Sequence, residues 1–95
     1  IVVCDDVEIE RLLLKEILCQ YFEEINEEVS IVEYDSGETL IADVEEGYIA
    51  MDLLFLDICM KKLNGMETAR KLRQIQCKVP IIFSYRFTGL CHREL

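Results

Sequence analysis

The chain has 95 residues, 52% of them hydrophobic, and a single proline, which is enough to bury one core and too little for two domains. A formal net charge of −9 sets it against phosphate backbones and anionic lipid surfaces, so direct nucleic-acid binding by this segment is excluded. Five cysteines (Cys4, Cys19, Cys59, Cys77 and Cys91) make an odd set without a CxxC pair, so neither a disulfide framework nor a zinc site is indicated. Buried thiols in a reducing compartment are the expectation. The N-terminus has no basic leader pattern and no apolar run approaches the roughly 20 residues that span a bilayer, so a cytoplasmic location with no membrane contact is expected.

The stretch IVVCDD, residues 1–6, is a short apolar run stopped by two acids and reads as a buried strand clipped at its start. From Glu8 to Ile25 the residues Ile9, Leu13, Ile17, Tyr21 and Ile25 recur every four positions, flanked by Leu14, Leu18 and Phe22, which predicts an amphipathic helix with that stripe facing the core. The acidic run Glu23 to Glu28 is a solvated helix end. VSIVEYD, Val29 to Asp35, alternates like a strand; Ser36 can cap a short helix carrying Leu40, Ile41 and Val44, and Gly47 can end it. MDLLFLD is a second buried strand, Met66, Ala69, Leu72 and Ile75 line a third helix after the loop KKLNG, and Pro80 introduces the strand IIFS. The order βαβαβαβ predicts right-handed crossovers and a doubly wound parallel α/β sheet.

In such sheets ligands bind at the carboxyl ends of the strands. Asp5 and Asp6 end the first strand and Asp57 ends the third, so neighbouring strands would bring three carboxylates into one crevice. Like charges that close raise one another's pKa values or demand a counter-ion, and hard oxygen ligands suit Mg²⁺ and a phosphate oxygen. An aspartate can itself accept a phosphoryl group, and Asp57, alone at its strand end, is the better nucleophile. The bland alternative has Asp6 capping the first helix and Asp57 merely ending a strand.

The segments VVCDD, LLFLDICM, LNGMETARKLR and VPIIF resemble, in order and spacing, the receiver domain of two-component response regulators, a flavodoxin-like (CheY-like) fold. The resemblance runs from Ile1 to about Phe83. It implies that Asp57 is the phosphoacceptor, that Asp5, Asp6, Asp57 and the backbone carbonyl of Cys59 hold Mg²⁺, and that the donor is a phosphohistidine on a sensor histidine kinase. It also implies control of an output domain elsewhere in the protein, a DNA-binding one regulating transcription, which the opening and the FLDI phrasing liken to the LytTR type. A homodimer is compatible with it. Any enzymatic activity would be limited to Mg²⁺-dependent self-phosphorylation and dephosphorylation at Asp57. Gly65 matches the glycine of the turn into the third helix, where φ > 0 is useful.

Three departures stand against that pattern. Lys61 replaces a proline common in the family, adding positive charge and loosening the loop. Tyr85 stands where a Thr or Ser would read the phosphoryl group, with Ser84 one residue early. The pattern stops before a fifth strand and the lysine that follows it, so the receiver is expected at 1–83, incomplete at its C-terminus, with an atypical tail at 84–95 that a frame slip near Phe83 would explain. A non-switching interaction module or inactive remnant is the competing reading. His92, in a tail without helical period, is given no role.

Overall fold

The computed structural model describes residues 1–85. Seven elements alternate along them: β1 (Val2–Cys4), α1 (Glu8–Glu24), β2 (Val32–Tyr34), α2 (Gly37–Glu45), β3 (Leu54–Asp57), α3 (Gly65–Gln74) and β4 (Ile81–Ser84). Among the described residues the strands form one all-parallel sheet in the order β2-β1-β3-β4, the doubly wound arrangement expected from the sequence. Val2, Val3 and Cys4 of β1 face Val32 to Tyr34 on one side and Leu54 to Leu56 on the other, and β3 pairs over four residues, Leu54 to Asp57, with Ile81 to Ser84 of β4. β4 includes Ser84, one residue past the expected domain boundary. The expected tail beyond Tyr85, with His92 and Cys91, lies outside the described residues.

Side-chain alternation divides the sheet into two faces. Val2, Cys4, Leu54 and Leu56 join Leu40 and Ile41 of α2 and Met60, Leu72 and Val79 in one continuous buried cluster. α1 contributes nothing to that cluster and lies against the other face, where it buries Leu18. This corrects the predicted stripe: Ile9, Ile17, Tyr21 and Ile25 are exposed, Ile17 at 50% and Tyr21 at 54%, while Leu18 from the flanking row is 9% exposed. The helix is apolar on more than one side, so spacing alone could not say which side meets the sheet.

The helix ends follow local chemistry. Ser36 Oγ accepts from the Thr39 amide at 3.1 Å and caps α2, as its position predicted. Gly47, at φ 74°, ends that helix, with its own amide donating to the Val44 carbonyl at 3.1 Å and the Tyr48 amide reaching the Asp43 carbonyl at 2.8 Å. α3 opens with a reciprocal capping box between Asn64 and Glu67. Gly65 does not take a positive φ; its lack of a side chain matters because a Cβ there would run into the Asp57 carbonyl oxygen and approach the Ile58 Cα to 2.8 Å. Gly37 likewise sits where a Cβ would meet the Thr68 side chain.

Of the cysteines, Cys4, Cys19 and Cys77 are free thiols; Cys4 is buried and Cys77 half-buried, while Cys19 is exposed on α1 and corrects the expectation of burial there. No described helix is long and apolar enough to cross a membrane.

α1 is tied to β2 by Glu33, whose two carboxylate oxygens accept from Arg11 Nε and Lys15 Nζ, each at 3.1 Å. The Lys15 hydrogen bond, followed by that of Arg11, holds the Glu33 carboxyl below its usual 4.5.

Three outcomes test this packing. Leu18→Ala should cost about 2–5 kcal/mol in urea unfolding while Ile17→Ala stays within about 0.5 kcal/mol, and the reverse order would return the predicted stripe to the core. Gly65→Ala should cost about 1–3 kcal/mol, seen as a fall in Tm, because the added methyl pushes on the backbone of Asp57. A carboxyl with a depressed folded pKa stabilises above its unfolded value and loses that contribution as pH falls through the folded one. Glu33→Gln should therefore be less stable than wild type at neutral pH, with the gap closing as pH drops below 4.5; a gap that persists in acid would mean the pair is not charge-dependent.

Candidate functional site

Because Cys4 pairs with Leu56, β1 and β3 leave the sheet side by side, and the residues that follow arrive together. One carboxylate oxygen from each of Asp5, Asp6 and Asp57 lies within 4.8 Å of the others. Asp57 is 0% and Asp5 6% exposed, with Asp6 half-buried at the rim. All three predicted acids are thus brought to one place. Cys59 lies two residues past Asp57 on the turn leaving β3, with its side chain 6% exposed.

Each acid of the first strand is oriented by main chain. Asp5 Oδ1 accepts from the Val7 amide at 2.9 Å, and its carbonyl accepts from Arg11 Nη1 at 2.8 Å. Asp6 Oδ2 accepts from the Lys61 amide at 2.9 Å. Neither caps α1, whose first residue follows Val7 without a side-chain cap, so the bland reading of Asp6 does not hold. Through that amide Lys61 ties the loop after β3 to Asp6. Arg11 escaped the sequence analysis because its acceptors, Asp5 and Glu33, lie on other elements and no local spacing links them.

The electrostatics of the cluster register on Cys4, just beneath it. Burial pushes the Cys4 thiol up to about 12, and the negative charges of Asp5, Asp57, Asp35 and Asp6 push in the same direction. That thiol is an inert part of the core, its Sγ 3.8 Å from Met60 Sδ. Three hard oxygen donors converging in a field this negative fit a divalent cation such as Mg²⁺, which accepts one or two carboxylates and retains waters. Beside the cluster, a cleft of about 360 Å³ opens between the N-terminus of α2 and the β3–α3 loop, with Asp6, Asp35, Lys61 and Lys62 in its wall.

Ser84 sits opposite Asp57 in the β3–β4 register, and its carbonyl accepts from the Ile58 amide at 3.0 Å. Tyr85, in the place where the resemblance puts a phosphate-reading hydroxyl, is 69% exposed.

The chain is similar to known proteins along most of its length. Residues 1–87 match the response regulator receiver domain. An uncharacterized response regulatory protein of Vibrio cholerae is 43% identical over a stretch that covers 45% of this chain and 19% of that protein. Among solved structures, the N-terminal domain of a response regulator/sensory box/GGDEF three-domain protein of Carboxydothermus hydrogenoformans superposes with a TM-score of 0.75 at 22% identity, covering 98% of this chain and 69% of that one. The receiver domain of the histidine kinase CKI1 of Arabidopsis thaliana, solved with Mg²⁺ and BeF₃⁻, gives 0.66 at 23% identity, covering 88% and 63%. With the fold, the strand-end acids and the match over residues 1–87 in agreement, this chain belongs to the response regulator receiver domain family.

Proposed function

We propose that the chain is a phosphoacceptor: Asp57 takes a phosphoryl group from a phosphohistidine of a sensor histidine kinase, and the modified domain controls an output domain elsewhere in the protein. The observation that carries this is the convergence of Asp5, Asp6 and Asp57 within 4.8 Å. Asp5, Asp6, Asp57 and the backbone carbonyl of Cys59 would hold Mg²⁺. The ion, when bound, offsets the clustered negative charge and the charge that develops on the phosphoryl oxygens. A carboxylate oxygen of Asp57 forms the new P–O bond as the P–N bond of the donor breaks and the departing ring nitrogen takes up a proton from solvent, leaving an acyl phosphate and a neutral imidazole. Asp5 and Asp6, fixed by the Val7 and Lys61 amides, keep their oxygens directed to the site without further reorganisation.

The chain spans 19% of its curated relative, so transcriptional output through a DNA-binding domain and a cytoplasmic setting belong to this proposal for the whole protein. The second reading, a non-switching interaction module, is favoured by Tyr85, which offers no small hydroxyl to a phosphoryl group.

Treatment with acetyl phosphate and Mg²⁺, read by intact mass spectrometry, separates the two. A single phosphoryl adduct labile to hydroxylamine, lost in Asp57→Asn and lost on chelation, is the expected result. No adduct on the folded chain favours the interaction module, and a stable adduct on Ser84 removes Asp57 from the role. Mg²⁺ titration should in addition show weaker binding in Asp57→Asn than in wild type, with equal affinity taking Asp57 out of the metal site.

A further inference from the structure

The β3–α3 loop crosses the rim of the acid cluster at Lys61, a position where the residue type decides whether the main chain can donate. A proline has no N–H to give. Lys61 has one and donates it to Asp6 Oδ2 at 2.9 Å, linking points 55 residues apart in the chain. The donor is held from both sides: Met60, 2% exposed, packs into the core against Cys4, and Asn64 is locked by its capping box with Glu67. The Lys61 side chain, by contrast, is exposed.

We infer that Lys61 is a positioning residue whose main-chain N–H orients the Asp6 carboxylate toward a divalent cation shared with Asp5 and Asp57. This rests on the metal reading proposed above. Mutual repulsion favours turning the rim acid, Asp6, out toward water, where its charge is better solvated. An amide on a fixed loop opposes that rotation, and a hydrogen bond to a charged acceptor is stronger than one between neutral groups. The arrangement is the carboxylate counterpart of the outer donors that fix metal ligands elsewhere, whose loss typically lowers metal affinity by 10–100-fold. The effect of Lys61 on the site thus runs through the backbone rather than through the ammonium group.

Mg²⁺ affinity, measured by ¹⁵N NMR titration of wild type, Lys61→Ala and Lys61→Pro, tests the inference. Lys61→Ala keeps the N–H and should retain binding, whereas Lys61→Pro should lose about tenfold. An equal loss in both variants assigns the effect to the side chain and overturns the inference, as does full affinity in a folded Lys61→Pro. A second measurement needs neither the proline variant nor the metal: the Lys61 amide should resonate downfield in wild type and move upfield in Asp6→Ala. An amide that ignores Asp6→Ala overturns the inference even where Lys61→Pro does not fold. A wild-type chain that shows no response to Mg²⁺ overturns the parent metal reading and the orienting role with it, and the metal-free amide shift tells that failure from the absence of the hydrogen bond itself.

Discussion

Everything at the site depends on one pairing, that of β1 with β3 in parallel register, Cys4 beside Leu56. Parallel neighbours end on the same edge of the sheet, so whatever follows their last paired residues must share the space beyond it. Here those residues are three aspartates, and the sheet forces them together against their mutual repulsion. The force comes from burial: Val2, Leu54 and Leu56 in the strands, with Leu40 and Leu72 from the helices, are at most 2% exposed. The charge cluster is a cost carried by the hydrophobic core, and a counter-ion lowers it.

The strands and the acids were legible because both are written locally. An apolar run that stops at a carboxylate announces a strand end, and Ser36, Gly47 and Pro80 punctuate the chain where their backbone chemistry requires. The face of α1 was not legible. Ile9, Ile17 and Tyr21 form as regular a series as Leu14, Leu18 and Phe22, and only the position of the sheet decides between them. Gly65 was legible as a needed glycine but for a different reason, since the constraint is the closeness of the Asp57 carbonyl and not the sign of φ. The links of Arg11 to Glu33 and of Lys61 to Asp6 join residues 22 and 55 apart and leave no trace in any window of sequence.

The division between what the fold and what the site contribute is sharp in this domain. Structures of similar shape at 22% and 23% identity share the sheet and its helices. The three acids, by contrast, meet at one edge of that sheet, beside Lys61. A domain of this kind can hold its architecture through substitutions that retune the edge, because the residues that build the sheet and those that line the crevice are different sets.

The contact of Gly37 with Thr68 carries a mechanical consequence. Thr68 is 0% exposed, its hydroxyl donates to the Asn64 carbonyl at 2.9 Å, and it fills the space that any side chain on residue 37 would need. The first turn of α2 therefore rests directly on α3, with no room for a side chain between them. Asn64, whose carbonyl accepts from Thr68, also ends the β3–α3 loop, so that loop, the start of α3 and the start of α2 meet at one tightly packed point. A substitution at either Gly37 or Thr68 would therefore be felt by both helices and by the loop between Asp57 and α3.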